Sequence, residues 1–351
     1  MIKNVALIGA GTISESHLNG YQQIPGITVK TICDMNLEQA EKRAKQYGIS
    51  NFCADYRAVL ADSEIDAVSI VTPTFTPKTI ILDALRHGKH VMCEKPPALT
   101  YADSLECEQA AKKAGKVLMY GFICRFMTVN QFLKQYIDAG RMGDIYYAEA
   151  SRMENCSQIG GWFRDKTKAG GGCLFDAAIH QLDLMLYFMG YPKIVSVKGY
   201  ASDVNKDLPG RIKSSADSYA SVSNTQTPRT IESFASAMIT FEGGKSLYIK
   251  SAHIANTLNR DTCLELLGDK GGASLTNNKL RLLNIDESNY FMESEPLIND
   301  NTDAFVTELK HFVDCCNGKV NCIPNAHEGS EIMKVLNAIY ESAEKGVEIL
   351  F

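Results

Sequence analysis

Asp176 and His180 lie four residues apart at the start of a segment whose apolar spacing predicts a helix over 174–189. That spacing places two side chains on one face of a helix. An imidazole, with an ordinary pKa of about 6.5, can take up the proton that an alcohol loses on oxidation. Asp176 would then orient the ring or bind a neighbouring hydroxyl. Each residue alone is more typical of a helix cap or a structural histidine.

Lys95 is a third candidate for the same chemistry and stands in Glu94-Lys95-Pro96, after an apolar strand over 90–93. Its ammonium group can hydrogen-bond to a reacting oxygen and favour an alkoxide. Pro96 biases Lys95 towards an extended backbone. Glu94 would hold the lysine or touch a cofactor. Taken alone, a lysine at the end of a strand is usually a solvated charge.

A glycine turn, Gly9-Ala10-Gly11-Thr12-Ile13-Ser14, joins the first predicted strand to a helix. Gly9 permits the tight turn, and Gly11 allows the backbone to approach a pyrophosphate at the positive end of the helix. Ser14, at the third glycine position, is small enough for close packing. Because the motif lies between a strand and a helix, it predicts a dinucleotide site rather than a plain turn.

Asp34 ends the second predicted strand, 23 residues after Gly11. An acid there accepts hydrogen bonds from both ribose hydroxyls of NAD and repels a 2′-phosphate. The next three residues, Met35-Asn36-Leu37, supply no cation for that phosphate. The sequence therefore favours NAD over NADP. The alternative is that Asp34 only caps the helix that begins near residue 36.

These residues must be positioned by alternating strands and helices in the first 123 residues. Strands bounded by turn residues are predicted at Val5–Ile8, Thr28–Ile32, Ala67–Val71, His90–Cys93 and Val117–Tyr120, and helices at 36–47, 76–87 and 100–114. Alternation of this kind indicates an α/β domain with a doubly wound parallel sheet, the Rossmann class.

The second part of the chain has a different pattern and predicts an α+β domain with a mainly antiparallel sheet. Helices are predicted at 127–139 and 174–189, with two more near 304–317 and 328–344 at the end. Strands are predicted at 144–152, Ile194–Gly199, Phe234–Phe241, Ser246–Ser251 and Thr262–Leu267. Gly243-Gly244 reads as a hairpin turn between two of them.

Composition limits the remaining possibilities. The 351 residues are 45% hydrophobic and 22% charged, with a net charge of −5, so nucleic acid is not an expected partner. The eleven cysteines include no C-x-x-C pair, which favours reduced thiols over a metal clamp. The apolar run Val5–Ile8 is too short for a signal peptide or membrane span, so no membrane association and a cytoplasmic location are expected.

Three segments together resemble the Gfo/Idh/MocA family: Thr72-Pro73-Thr74, Glu94-Lys95-Pro96 and the run from Gly170 to His180. The resemblance covers essentially the whole chain. It implies a Rossmann domain over 1–123 and a substrate-binding and oligomerisation domain over 124–351, with the last helix packing back on the first. It also implies an open, mainly antiparallel sheet in the second domain, which often forms the face of a homodimer or homotetramer.

The same resemblance implies NAD(P)-linked oxidation or reduction at a secondary carbinol of a sugar or cyclitol. It assigns Thr72, Pro73, Thr74 and Glu94 to the cofactor, and Lys95 to both the nicotinamide ribose and the substrate. Asp176 and His180 would be the acid and histidine of the substrate site. Three departures limit the analogy: Thr74 replaces a frequent Asn, Lys78 a frequent His and Ala178 a common Gly.

Further substrate contacts are expected from Arg125, after the last Rossmann strand, and from Trp162 and Arg164, before the glycine run. Arg164, Lys166 and Lys168 are open to two readings, a site for an acidic substrate or a solvated loop. Two other functions also stay open. One is a non-redox enzyme that uses bound NAD for transient oxidation and elimination, and the other is a dinucleotide-binding regulator without turnover.

Overall fold

A computed structural model describes residues 1–155, 160–204, 228–258, 261–285, 288, 290–299 and 302–351. The chain forms two compact units, which are residues 1–126 with 302–333 and residues 127–301 with 334–351. Within the described ranges, no helix combines the length and the apolar character needed to cross a bilayer.

The first unit contains a six-stranded parallel sheet, which confirms the predicted Rossmann class. Its strand order is β3-β2-β1-β4-β5-β6, so the winding direction reverses between β1 and β4. Ligands of such sheets bind at the carboxyl ends of the strands beside that reversal. The strands are β1 (Asn4–Ile8), β2 (Thr28–Cys33), β3 (Asn51–Cys53), β4 (Ala67–Ile70), β5 (His90–Glu94) and β6 (Leu118–Gly121).

Six α-helices lie wholly within this unit, and four of them begin at a side chain that accepts a backbone N–H: Asn36, Asp55, Thr100 and Asp303. Sequence reasoning missed the strand β3 and the helix that follows it, because Asn51–Cys53 is a short, largely exposed strand without an apolar run. The helices are α1 (Ile13–Gln22), α2 (Leu37–Tyr47), α3 (Tyr56–Ala61), α4 (Pro77–Arg86), α5 (Tyr101–Ala114) and α10 (Ala304–Cys316).

The second unit is built on a nine-stranded sheet with the order β14-β13-β12-β11-β7-β10-β9-β8-β15. Of its described strand pairs, only β7 with β10 is parallel, so the prediction of a mainly antiparallel sheet is confirmed. The strands are β7 (Ile145–Met153), β8 (Ile194–Ser202), β9 (Phe234–Phe241), β10 (Lys245–Ala252), β11 (Thr262–Gly268), β12 (Gly271–Thr276), β13 (Lys279–Ile285), β14 (Phe291–Ser294) and β15 (Ile349–Leu350).

The two faces of this sheet differ in burial, as the alternation along a strand requires. Ala150, Ala237, Ile249 and Leu264 lie side by side in the strand register and are all buried. One residue further along each strand, the opposite row carries charged and exposed side chains such as Met238 and its partner Lys198.

The second unit also contains helices α6 (Thr128–Asp138), α7 (Lys166–Ala169), α8 (Cys173–Asp176) and α9 (Ile179–Met189). The last helix, α11 (Ala326–Lys345), begins in the first unit and continues in the second. It packs tightly on β8, where a Cβ on Gly199 would lie 2.3 Å from the carbonyl oxygen of Ile339. Glycine at 199 therefore permits this close approach.

Candidate functional site

The turn after β1 requires glycine at position 9 and leaves open space beside Gly11. Gly9 has φ +106°, and a Cβ on it would lie 2.5 Å from the carbonyl oxygen of Val71, just after β4. A Cβ on Gly11 would meet nothing within 4 Å. Thr12, the residue before α1, makes no side-chain capping bond. The residues present therefore fit a phosphate group approaching the start of this helix.

Asp34 connects the glycine turn to the segment after β2. Its Oδ2 accepts the N–H of Ala10 at 2.8 Å, and its Oδ1 accepts the N–H of Asn36 at 2.8 Å. The capping residue of α2 is Asn36, whose side chain accepts the N–H of Gln39. Each oxygen of Asp34 retains acceptor capacity, since a carboxylate oxygen has two lone pairs. The acid is thus placed to accept ribose hydroxyls.

A cation that sequence reasoning missed lies beside the same turn. Arg43, on α2, donates from Nη2 to the carbonyl oxygen of Gly11 at 3.3 Å, while its Nη1 pairs with Glu15. Because Arg43 is nine residues from Asp34 in the sequence, the usual search just after the acid does not find it. The Glu15 carboxylate already balances its charge.

Glu94, the last residue of β5, is held by a buried polar chain. Its Oε1 lies 2.8 Å from Nε2 of His17, which is fully buried. The other ring nitrogen, Nδ1, lies 3.3 Å from the Ser69 hydroxyl, and that hydroxyl lies 2.8 Å from the Tyr21 hydroxyl. Burial raises the pKa of Tyr21, so this hydroxyl remains a donor. The chain of contacts fixes the carboxylate beside the strand end that carries Lys95.

Lys95 directly follows this carboxylate, and its backbone N–H donates to Glu94 Oε2 at 3.3 Å. A Cβ on Gly121 would lie 3.0 Å from the same carboxylate, so glycine in β6 makes room for Glu94. The Lys95–Pro96 peptide bond is cis. Because β5 ends at Glu94, Lys95 lies just beyond the carboxyl edge of the sheet, as the sequence predicts.

The loop after β4 carries the next three predicted cofactor residues, Thr72, Pro73 and Thr74. Thr76 Oγ1 lies 2.7 Å from Thr72 Oγ1 and 2.8 Å from the Pro73 carbonyl oxygen, and Thr74 is buried. Lys78, one of the departures from the family pattern, pairs with Asp103 and Glu106, and these carboxylates raise its pKa.

The second unit corrects the prediction of one continuous helix over 174–189. Asp176 is the last residue of α8, His180 is the second residue of α9, and Ala177 and Ala178 separate the helices. Arg152 Nη1 donates to the Ala177 carbonyl oxygen at 3.3 Å, which satisfies a group that a continuous helix would use internally. The argument that Asp176 and His180 share one helix face is therefore wrong.

A buried carboxylate fixes the helix that carries Asp176. Glu232 accepts the N–H groups of Gly172 at 2.7 Å and Leu174 at 3.2 Å, and the Tyr340 hydroxyl donates to it at 2.9 Å. Cβ atoms on Gly171 and Gly172 would lie 2.1 Å from the Tyr340 hydroxyl and 2.0 Å from the Glu232 carbonyl oxygen. Glycine at 171 and 172 therefore permits close packing against Tyr340 and Glu232. This packing explains why glycines occur together here, which their spacing in the sequence did not explain.

His253 is a second residue that sequence reasoning missed. It follows β10, and its Nε2 lies 3.6 Å from Asp176 Oδ2. The exposed fraction of the His253 side chain is 4%, against 26% for Asp176. His180 is also buried. Asp176, at the end of α8, therefore lies beside the imidazole of a residue that is far away in the sequence.

The predicted substrate residues lie in different surroundings. Arg125 is buried, and its Nη1 pairs with Glu328 at 3.2 Å. The Trp162 ring stacks on that of Phe163 with centroids 3.8 Å apart. Arg164, the next residue in the sequence, is buried. Lys168 pairs with Asp165 at 3.7 Å. Their contact with a substrate stays a prediction.

Neither a metal cluster nor a disulfide appears in the part of the chain that the structure describes. No group of three or more His, Cys, Asp or Glu side chains is arranged there to hold a metal ion. The cysteines of these ranges are free thiols.

Comparison with known proteins decides the family. Residues 3–122 match the model of the oxidoreductase family with an NAD-binding Rossmann fold, and residues 134–350 match its C-terminal alpha/beta domain. The chain belongs to the Gfo/Idh/MocA oxidoreductase family. The resemblance seen in the sequence is thereby confirmed, together with NAD as the cofactor.

Relatives in this family support the same conclusion. A D-glucoside 3-dehydrogenase of Escherichia coli K12 is 31% identical over 98% of this chain and 96% of its own length. A scyllo-inositol 2-dehydrogenase (NAD(+)) of Bacillus subtilis is 28% identical over 90% of this chain and 86% of its own. These relatives are dehydrogenases, so the prediction of an NAD-dependent oxidoreductase is confirmed.

Solved structures of the family share the fold. A levoglucosan dehydrogenase in complex with NADH and levoglucosan superimposes with a TM-score of 0.87 at 23% identity, covering 100% of this chain and 99% of that one. At this identity the likeness concerns the fold alone.

Proposed function

We propose that this family member transfers a hydride between NAD(H) and a secondary carbinol or ketone of a sugar, sugar derivative or cyclitol. The observation that carries the proposal is the position of Gly9, Asp34, Thr72 and Glu94 at the carboxyl edge of one parallel sheet, beside its reversal in strand order. The substrate class is supported by the dehydrogenases of glucosides and inositol among the relatives.

The cofactor supplies the chemistry of accepting or donating the hydride when it is bound. Residues of the glycine turn (Gly9, Gly11, Thr12 and Ile13) would hold its phosphates, Asp34 would accept its ribose hydroxyls, and the remaining contacts would come from Thr72, Pro73, Thr74, Glu94 and Lys95.

The protein must take up a proton and stabilise an oxygen that becomes negative. In this proposal His180 accepts the proton, because a neutral imidazole is basic near neutral pH. Lys95 donates a hydrogen bond to the developing alkoxide, and Asp176 orients an imidazole or binds a neighbouring hydroxyl. Arg125, Trp162 and Arg164 are proposed to contact other parts of the substrate.

The test is an activity screen with D-glucosides, inositols and levoglucosan, read by NADH absorbance and by product analysis. Net NADH formation with one of them supports the proposal. Conversion without net NADH would instead support transient oxidation and elimination. On the substrate found, we expect His180→Ala and Lys95→Ala each to lower kcat by about 100-fold or more. Turnover near the wild-type value in either variant would remove that residue from the mechanism.

The proposal extends to assembly and location. Residues 1–123 would bind the cofactor and residues 124–351 the substrate, with the last helix packing back on the first domain. The second domain would join copies into a homodimer or homotetramer through its sheet, where Tyr200, Met238 and Phe291 are exposed. A cytoplasmic location completes the proposal, and light scattering of the pure protein tests the assembly.

A further inference from the structure

We propose that Cys33 and Cys53 form a redox-sensitive thiol pair whose oxidation to a disulfide weakens the binding of NADH. The oxidant would be a low-molecular-weight disulfide, such as oxidised glutathione. The inference rests on the proposed role of Asp34 in holding the ribose of the cofactor. Neither cysteine belongs to a motif from which the site was predicted.

The first observation is the pairing of the two strands that carry these thiols. Cys33 ends β2, Cys53 ends β3, and the two residues are partners in the parallel register. Neighbouring strands lie about 4.8 Å apart, which is within the range of about 4.4–6.8 Å between the Cα atoms of a disulfide. The two thiols are also hydrogen-bonded to each other. The two strand ends are therefore already arranged for a disulfide.

The second observation is the difference in environment between the two sulfur atoms. Cys33 is buried, whereas Cys53 is half-buried. Burial raises the pKa of the Cys33 thiol, so this residue stays protonated near neutral pH. The Cys53 thiol donates to the Asp55 carbonyl oxygen at 3.6 Å, so the Cys53 sulfur accepts the bond from Cys33. The sulfur that an oxidant reaches first is therefore that of Cys53.

Oxidation of the pair requires two successive thiol–disulfide exchanges. The Cys53 thiolate attacks one sulfur of oxidised glutathione, which forms a mixed disulfide and releases one glutathione, and this takes up the proton that Cys53 lost. The Cys33 sulfur then attacks the Cys53 sulfur of the mixed disulfide, and the second glutathione leaves with the proton of Cys33. Two protein thiols are thus oxidised to one disulfide, and one oxidised glutathione is reduced to two glutathione molecules.

The third observation links the pair to the cofactor turn. Asp34 follows Cys33 directly, and its backbone N–H donates to the Cys53 carbonyl oxygen at 3.1 Å. Its carboxylate accepts the Ala10 N–H at 2.8 Å. Disulfide formation draws the two sulfur atoms from hydrogen-bond distance to covalent distance, so the ends of β2 and β3 must shift and Asp34 shifts with them. Because hydrogen bonds depend steeply on geometry, the displaced carboxylate would hold the ribose less well.

Thermodynamic linkage makes this coupling reciprocal. If the disulfide weakens NADH binding by a given factor, saturating NADH disfavours the disulfide by the same factor. For a factor of about ten, bound NADH raises the reduction potential of the pair by about 30 mV. NADH would therefore protect the two thiols from oxidation.

The decisive experiment equilibrates the protein with glutathione redox buffers, without NADH and with saturating NADH. We expect peptide mapping to find a disulfide between Cys33 and Cys53, and the dissociation constant for NADH to rise about tenfold on oxidation. The reduction potential of the pair should shift by about 30 mV with NADH.

Cys53→Ser should bind NADH as the reduced wild type does, and oxidation should no longer weaken that binding. The matched control is Cys263→Ser, because Cys263 is also a half-buried thiol on a strand. This variant should retain both effects of the wild type. A rise in the dissociation constant that persisted in oxidised Cys53→Ser would overturn the inference.

Another hydrogen-bonded pair of thiols, Cys315 and Cys322, calls for a further control. Cys322→Ser removes that pair and should leave the effect of oxidation on NADH affinity unchanged. Loss of the effect in Cys322→Ser would overturn the inference, since it would assign the effect to the other pair.

A mapped disulfide between Cys33 and Cys53 with unchanged NADH affinity would overturn the inference and leave the proposed function intact. Failure of this disulfide to form in the most oxidising buffer would also overturn it. Wild-type NADH affinity in Asp34→Asn would instead refute the role of Asp34 on which the inference rests.

Should Cys53→Ser fail to fold, the wild type alone decides the question. In one redox buffer, saturating NADH should lower the fraction of protein in which Cys33 and Cys53 are joined. An equal fraction with and without NADH would overturn the inference.

Discussion

The carboxylate of Asp34 accepts the backbone N–H of Ala10 at 2.8 Å, so the acid after β2 and the glycine turn after β1 form one hydrogen-bonded unit. The acid thus has a structural partner as well as free acceptor capacity. Replacing it tests both roles.

We expect Asp34→Asn to weaken NADH binding by about tenfold, which corresponds to about 1.4 kcal/mol. The asparagine side chain can accept a hydrogen bond from a ribose hydroxyl at its oxygen but not at its nitrogen. The substitution also removes the negative charge that repels a 2′-phosphate. The ratio of the NADPH to the NADH dissociation constant should therefore fall. Fluorescence titration with both cofactors measures the two constants.

The matched control is Asp55→Asn, because Asp55 also follows a strand of this sheet and accepts a backbone N–H, that of Arg57 at 3.0 Å. Cofactor affinity should not change in this variant. An Asp34→Asn protein that binds both cofactors as the wild type does would show that the acid serves only the fold.

Gly11→Ala should fold normally and bind NADH poorly. A Cβ there meets no protein atom within 4 Å, so the melting temperature should stay close to that of the wild type. The same methyl group would occupy the space through which a pyrophosphate approaches the backbone, and we expect affinity to fall about tenfold or more. Thermal unfolding and NADH titration of one preparation give both values.

Gly9→Ala is the contrasting variant. Its φ of +106° and the 2.5 Å approach to the Val71 carbonyl oxygen predict a loss of stability of at least about 1–3 kcal/mol. If Gly11→Ala were the less stable of the two proteins, the contrast drawn from these positions would be wrong.

Glu232→Ala should impair both stability and turnover. Two backbone N–H groups, the Tyr340 hydroxyl and the weakly donating Cys173 thiol lose their acceptor. Each buried N–H or O–H donor left unpaired costs about 1–3 kcal/mol, so we expect the free energy of unfolding to fall by about 3 kcal/mol or more. Because α8 also carries Asp176, kcat should fall while NADH affinity is kept. Urea unfolding and steady-state kinetics measure these effects.

Tyr340→Phe provides the graded control, since it removes one donor to Glu232 and leaves the backbone bonds in place. Its cost should be about 1 kcal/mol. A larger loss in Tyr340→Phe than in Glu232→Ala would contradict the view that the carboxylate is the anchor.

His90 should make the first unit less stable in acid. Burial, aided by Lys116, lowers the pKa of His90 from 6.5 to about 4. Between these values the unfolded chain binds more protons, so the stabilising contribution is complete above 6.5 and is lost as the pH falls towards 4. Because the ring is partly exposed, we expect an effect on the order of 1 kcal/mol.

The comparison is with His90→Asn, whose amide oxygen can still accept the Val117 N–H that His90 Nδ1 accepts at 3.1 Å. Urea unfolding at neutral and acidic pH should show a smaller loss of stability in this variant. An equal loss in both proteins would assign the acid sensitivity to other groups.

The parts of the fold that the sequence predicted are those with local signals. The parallel strands of the first unit are apolar runs, and Gly243-Gly244 marks a hairpin that the structure contains between β9 and β10. The short strand β3 and the break after Asp176 were missed. Neither feature leaves a periodic pattern of apolar residues in the sequence. The break between α8 and α9 is stabilised by Arg152, which binds the Ala177 carbonyl oxygen from 25 residues away in the sequence.

The sequence by itself determined the dinucleotide fold and its cofactor turn, because Gly9, Gly11 and the strand and helix around them are contiguous. Tertiary structure decided what surrounds the candidate acid: Glu232 at the start of its helix and His253 beside its carboxylate. The Glu232–Leu174 bond joins residues 58 positions apart, and His253 is still further from Asp176 along the chain. Only the folding of a mixed sheet, which brings distant strands next to one helix, creates such neighbours, so spacing in the chain carries no trace of them.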